Sequence, residues 1–270
     1  MEPPQKPAFL MCPPDYYGIE YEINPWMSRR RESIPEVAQR QWHALYETLT
    51  GPVGAVVHLL EPVRGLPDMV FTANAGLVWG RAFIGSNFRF AERQLEASHY
   101  EAWFASRSYT VVHLPGEHPF EGAGDILALG ETLFAGYQFR SDIRSHTAVA
   151  DLLGLEVLSL QLVDEWFYHL DTCFCPLGPE AVIYYPAAFD AYALKVIEAG
   201  VADLIAVSPA SARRFACNAI VIGRHVVLNT GCDDLVEELV ARGYTVHAVE
   251  LGEFIKAGGA AKCLTLEVNT

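Results

Sequence analysis

No stretch of the chain approaches the roughly 18 consecutive apolar residues of a membrane-spanning helix. The opening MEPPQKPAFLMCPP has no basic segment followed by an apolar one, so no secretory leader is expected. Six cysteines are present, but none are spaced C-x2-C, which argues against a zinc site and a disulfide framework. The expected compartment is reducing, the cytoplasm, with most thiols serving as small buried apolar groups. Basic residues are scarce: 19 Lys and Arg stand against 33 Asp and Glu, a net charge of −14. Nucleic acid and anionic membrane, whose phosphates call for Lys and Arg, are therefore disfavoured as partners. The same balance suits a cationic small substrate, or serves solubility alone. Charged residues make up 19% and apolar ones 51%, which excludes a disordered chain.

What remains is a chain of 270 residues, able to bury roughly 75% of its unfolded surface without a staple. Length alone suggests about two domains, but an internal repeat argues for one. Five segments begin at Asn74, Asp125, Asp171, Asn218 and Cys263, separated by 51, 46, 47 and 45 residues. In the first four, a polar residue leads a short apolar strand, a Gly-containing turn and a second apolar strand, the signature of a β-hairpin. Helical periodicity follows over 91–106, 142–153, 188–199 and 232–242. A third strand then comes at 110–114, 155–160, 203–207 and 244–249, so each unit reads ββαβ. The fifth unit has only its first strand, Cys263-LTLEV; the opening of the chain supplies strand 8–12, helix 35–49 and strand 55–60. The expected fold is a single α/β domain over 1–270. It is a five-bladed ββαβ ring closed by pairing the last strand with the first, which removes an exposed sheet edge.

Such a ring brings the five leading residues to one end of a central channel. Polar side chains there cost desolvation energy unless partnered or used; the ordinary alternative is that they cap strand ends. Cys263 follows the Gly-rich GEFIKAGGAAK. It is a candidate nucleophile, although a lone cysteine is more often a core filler. His169, in FYHLDT, precedes Asp171 by two residues, and in an extended segment i and i+2 share a side. It is a candidate general acid and base, or a satisfied histidine. Asp125 and Asp171 would face each other, an arrangement suited to proton transfer, a metal or a cation. A planar guanidinium matches carboxylates in bidentate fashion. With Cys263 alongside, the fitting reaction is attack on the guanidinium carbon. Glu121 in FEGAGD is a candidate to orient His169, or an exposed loop acid. Two nearby carboxylates disfavour a thiolate and a bound guanidinium reverses that. Cys263 is thus expected to be a thiol in the free protein and to ionise on substrate binding.

Together these residues resemble the guanidino-group-modifying (pentein) superfamily, which includes arginine deiminase, dimethylarginine dimethylaminohydrolase, arginine dihydrolase and arginine:glycine amidinotransferase. The matching pieces span nearly the whole chain: CPPDYYGIEYEINPWM, DMVFTANAG, FRFAERQ, FEGAGD, GYQFRSD, FYHLDT and GGAAKC. FEGAGD, FYHLDT and a C-terminal Cys after paired Gly are specific in that order, though each alone is weak. MCPPDYYGIEYEINPWM and FTANAG place the resemblance closest to cyanobacterial-type arginine dihydrolase.

The resemblance implies the pentein propeller fold and the following roles. Cys263 matches the nucleophile, His169 the general acid/base and Glu121 the acid supporting it. Asp125 and Asp171 match the guanidinium-binding carboxylates. Arg93 and Arg140 match arginines that hold the substrate α-carboxylate, and Asn24 and Asn74 match substrate-contacting asparagines. Asn74 stands where dimethylarginine hydrolases and deiminases carry an acid. The dihydrolases pair this Asn with a second hydrolysis, of citrulline, and a neutral ureido group needs less anionic surroundings. The implied substrate is a small molecule, L-arginine, converted through citrulline to ornithine, ammonia and carbon dioxide. No metal or organic cofactor is implied, and room is left for a homo-oligomer. Cyanobacterial forms often carry a long C-terminal extension with a second activity. This chain stops seven residues after Cys263, so that activity is expected to be absent. Lys262 stands where dimethylarginine hydrolases often have His, which disfavours that substrate. Rival readings are a deiminase stopping at citrulline, a dimethylarginine hydrolase, an amidinotransferase, and a non-catalytic binding module on the same ring.

Overall fold

A computed structural model describes residues 6–268. The chain opens with β1 (Ala8–Met11), α1 (Pro35–Thr50) and β2 (Val56–Leu59). Next come β3 (Gly76–Trp79), β4 (Ala82–Gly85), α2 (Ala91–Gln94), α3 (Ala97–Ser106) and β5 (Thr110–Val112). The following unit is β6 (Ile126–Leu129), β7 (Thr132–Tyr137), α4 (Ile143–Leu153) and β8 (Glu156–Gln161). It leads to β9 (Phe174–Pro176), β10 (Ala181–Tyr184), α5 (Ala191–Gly200), β11 (Asp203–Ala206) and α6 (Pro209–Arg213). The chain continues through β12 (Ile220–Ile222), β13 (His225–Asn229), α7 (Asp233–Ala241), β14 (Thr245–Val249), α8 (Gly252–Ile255) and β15 (Leu266–Glu267).

These strands form five three-stranded sheets, ordered β3-β4-β5, β6-β7-β8, β9-β10-β11, β12-β13-β14 and β15-β1-β2. In the first four an antiparallel hairpin is followed by a helical crossover to a parallel strand, as in Leu77 opposite Ile84 and Phe83 opposite Val111. The fifth sheet joins both ends of the described chain: Phe9 pairs with Glu267 and Leu10 with Leu266, while β1 runs parallel to β2. Two-residue turns close three hairpins, each with a left-handed glycine: Gly80, Gly130 and Gly223. Space is not the constraint there, since a Cβ at Gly80 or Gly223 would meet nothing within 4 Å.

Helices bury one stripe each. On α1 the buried residues are Ala38, Trp42, Leu45 and Leu49, at steps of three and four. Asp142 caps α4 by accepting from the Arg144 N–H, and Gly154 ends it in the left-handed conformation. The single helix expected over 91–106 is broken between α2 and α3. Arg93 and Glu96 turn inward as a buried ion pair, Leu95 is 71% exposed, and the Glu96 N–H bonds the Arg93 carbonyl in a tighter turn.

An apolar cavity of about 720 Å³ runs along the first strands toward the hairpin tips. Phe9, Leu77, Leu127, Phe174, Ile220 and Leu266, one from each strand nearest it, line the space. No helix among the described residues is long and apolar enough to cross a membrane.

Candidate active site

The leading polar residues sit on tight turns that enter the first strands rather than on the strands themselves. Asn74 lies in a 3-10 turn at Thr72–Ala75, Asp125 ends one at Gly122–Gly124, and Asp171 lies in one at Leu170–Thr172. Adjacent turns touch. The Leu170 N–H donates to Asp125 Oδ1 at 3.0 Å, Asn218 Nδ2 to the Asp171 carbonyl at 2.9 Å, and the Cys263 N–H to Asn218 Oδ1 at 3.1 Å. The Ala73 N–H donates to the Cys263 carbonyl at 3.2 Å. The remaining neighbours, at 74 and 122–124, pack through glycine. A Cβ on Gly122, whose φ is +56°, would lie 2.4 Å from the Gly76 backbone, and one on Gly124 would lie 2.3 Å from Asn74 Nδ2.

Cys263 is buried, its Sγ 3.5 and 3.6 Å from the Asp171 carboxylate oxygens and 3.1 Å from Asn218 Nδ2. Burial, then the Asp171 charge, push the thiol well above its ordinary value; the Ala260 N–H, the Asn218 amide and Lys262 oppose them. Burial likewise raises Asp171 to about 7.

His169 Nε2 lies 2.7 Å from Glu121 Oε2. Burial would raise the Glu121 carboxyl, but the Arg140 guanidinium at 3.1 Å and His169 hold it well below the usual carboxylate range. The Arg89 N–H donates to its other oxygen at 3.2 Å. Glu121 is therefore an anion that fixes one ring nitrogen of His169. The strand alternation expected to relate His169 and Asp171 is absent. His169 is the extended residue that starts the 3-10 turn containing Asp171, so each reaches a different partner.

Three expected substrate contacts have partners inside the protein. Asp125 accepts from Ser141 N and Oγ, at 3.1 and 2.6 Å, as well as from Leu170; burial raises its carboxyl to about 6. Arg93 forks onto both Glu96 oxygens at 3.0 and 2.8 Å and donates to Asn74 Oδ1 at 2.8 Å and the Asp68 carbonyl at 3.1 Å. Asn24 donates to the Ala257 carbonyl and accepts from Trp26 and Met27, a loop-fastening pattern. Arg140 joins Glu121 to the Ile23 carbonyl and lies over the Phe90 and Tyr168 rings.

Around Arg93 three buried polar atoms have no hydrogen-bond partner: Asn74 Nδ2, Asp68 Oδ1 and the Tyr21 hydroxyl. The hydroxyl is near enough to Asp68 to work against the rise that burial imposes on that carboxyl, yet it makes no bond of acceptable geometry. Buried groups left unpaired in this way are rare and mark a place for a ligand or water. Tyr21 and Asp68 were not among the expected site residues, although both lie in the stretches that carry the family resemblance. Asn218 was also missing from that set. Its signal was its place in the repeat register.

A model of the eukaryotic N,N-dimethylarginine dimethylhydrolase family matches residues 20–270. This chain belongs to the dimethylarginine dimethylhydrolase family. Within and around that family, the chain is 49% identical to the bifunctional arginine dihydrolase/ornithine cyclodeaminase AgrE of Nostoc sp., over 97% of this chain but 38% of the relative. It thus spans under two fifths of that relative's length. It is 41% identical to the dimethylarginine dimethylaminohydrolase of Mycobacterium tuberculosis, over 98% of this chain and 87% of the relative. Among solved structures, the N-terminal domain of ArgZ, a cyanobacterial arginine dihydrolase captured with substrate in a Cys-to-Ser variant, superposes with a TM-score of 0.94. That domain is 47% identical and the match covers 98% of both chains. Five small sheets of this kind are the α/β architecture of the dimethylarginine dimethylhydrolase family and its pentein relatives.

Proposed function

We propose that this chain is a cysteine-dependent guanidine hydrolase that converts L-arginine through citrulline to ornithine, two ammonia and carbon dioxide. Cys263 attacks the guanidinium carbon. His169, held by Glu121 at Nε2, uses its other ring nitrogen to protonate the departing ammonia and then to activate water. Asp171 accepts the thiol proton's hydrogen bond and faces the guanidinium N–H groups. The substrate cation offsets the Asp171 charge, so the thiol ionises when arginine arrives. Arg93 and Arg140 face the α-carboxylate. Asp125 and Asn24 act by bracing the Leu170 turn and the 24–27 loop.

The observation that carries the second hydrolysis is the buried, unpartnered amide nitrogen of Asn74. Arg93 holds the amide oxygen, which leaves Nδ2 free to donate. A donor suits the oxygen of a ureido group, whereas an acid there would favour only the cationic guanidinium. A Cβ on Gly124 would lie 2.3 Å from this Nδ2 and 3.4 Å from His169 Cδ2, so both groups border that glycine. The similarity to the two arginine dihydrolases supports the same reading.

The circuit of contacts through 73–74, 122–125, 170–171, 218 and 263, and a cavity lined from all five sheets, support a closed five-bladed ring formed by residues 1–270 as one domain. Six unpaired thiols support a cytoplasmic setting.

Amino-acid analysis after incubation with L-arginine, and separately with L-citrulline, tests the activity. Ornithine from both, with two ammonia per arginine, is the expected result. Citrulline accumulating from arginine would make the protein a deiminase. The family match and the mycobacterial relative favour a second reading, hydrolysis of methylated arginines; release of dimethylamine from dimethylarginine, with arginine untouched, would establish it.

A further inference from the structure

We propose that Asn218 is a catalytic group that holds the sulfur of Cys263 as a thiolate, a role that rests on Cys263 being the nucleophile. Asn218 is fully buried and its side chain is saturated. Oδ1 accepts from the backbone N–H groups of Ala260 and Cys263, both at 3.1 Å. Two N–H donors on one atom fix which end of the amide is oxygen, because the flipped amide would set its NH₂ against them. Nδ2 must therefore point the other way, where it donates to Sγ at 3.1 Å and to the Asp171 carbonyl at 2.9 Å. Among the described residues it is the one side chain that donates a hydrogen bond to this sulfur.

The two neighbours of the sulfur have opposite tasks. Asp171 accepts, so it stabilises the protonated thiol; Asn218 donates, so it stabilises the sulfur once the proton has left. The repeat makes the distinction sharper. Positions 125 and 171 of the same register are carboxylates, and a third acid at 218 would set a second anion against the nucleophile. A neutral amide is the group that can tie the Cys263 and Ala260 backbone and still present a donor to sulfur. The Cys263 turn and the donor that serves it are thus one unit.

Alkylation of Cys263 by iodoacetamide across a pH series, with the site read by peptide mass spectrometry, tests this without assuming any substrate. In Asn218→Asp, which keeps the acceptor oxygen and removes the donor, the midpoint of alkylation moves up by about one pH unit or more. Asn218→Ser, with a shorter donor, gives a smaller upward move. With the substrate the unmodified protein turns over, kcat falls roughly 10- to 100-fold in Asn218→Asp while KM stays within about threefold. In the unmodified protein the Asn218 side-chain amide resonance shifts with the same midpoint as the alkylation, a readout that needs no variant to fold. An amide resonance that ignores Cys263 ionisation, or folded variants with an unmoved midpoint, would overturn the proposal. Loss of the proposed arginine activity with these shifts intact would overturn the substrate assignment and leave the role of Asn218 standing.

Discussion

Cys175 and Cys263 are both buried cysteines of the repeated units, and they live in opposite surroundings. Cys175 lies on β9 and lines the apolar cavity, where its thiol meets the Ala219 carbonyl and burial pushes it up to about 12. Cys263 lies one layer away on the turns, against Asp171, Asn218 and the Lys262 field. Both thiols are disfavoured as anions, but only Cys263 has a side-chain donor at the sulfur and a carboxylate whose charge a bound cation can offset. The lining of the cavity is mostly apolar, with Arg224, Lys262 and Glu267 the charged exceptions, whereas the turn layer is dense with buried polar groups and leaves no room for a side chain at Gly122 or Gly124.

The contrast breaks most severely if the thiols are exchanged in importance. Cys263→Ala is expected to lower turnover by at least about 10³-fold, and Cys175→Ala to leave kcat within about twofold while costing about 1–2 kcal/mol of stability. Steady-state kinetics and urea melts read the two effects; comparable losses of turnover would erase the distinction. Next in size is packing of the turn layer. Gly122→Ala forces a Cβ into the Gly76 backbone at a positive φ, a loss on the order of 3–4 kcal/mol, while Gly80→Ala at an open hairpin tip costs about 1 kcal/mol. Chemical denaturation of the pair measures the gap.

Asp171 supplies a pH test. Burial raises its carboxyl from 3.8 to about 7, so the folded state holds this proton more tightly than the unfolded chain does. Its contribution is complete below about pH 4 and is lost as pH rises through about 7. Asp171→Asn should therefore gain stability relative to the unmodified protein between those values, on the order of a few kcal/mol. A pH-independent difference in urea midpoints would remove the carboxylate from this role. The smallest effect is expected at the cavity mouth: Ala128→Leu, at an exposed lining position, should change kcat/KM by less than about twofold. A large loss there would make the cavity part of the reaction site.

Much of the site was legible before any fold was known, because the repeat register carried it. His169 meets Glu121 and Cys263 meets Asp171, two pairs drawn from residues that the register and the family motifs had singled out. Three assignments gained partners that the sequence did not show. Asp125, Arg93 and Asn24 meet backbone groups and acids of the protein itself, which a match to a family motif does not reveal. Tyr21 and Asp68 stood out only when their unpartnered atoms were found buried beside Arg93. The break after α2 was hidden for a related reason: helical periodicity over 91–106 does not show that Arg93 and Glu96 turn inward as a buried pair.

The order of strands, the main crossover helices, the five units and the hairpin turns were determined by the sequence alone, since apolar period and left-handed glycine act over a few neighbouring residues. Which polar groups face one another was decided only by tertiary structure. A hydrogen bond forms or fails over a few tenths of an ångström, and the partners here lie far apart in sequence: 45 residues for Asn218 and Cys263, 48 for Glu121 and His169, 92 for Asp171 and Cys263. Only packing of adjacent turns, down to the bare backbone of Gly122 against Gly76, sets distances that fine.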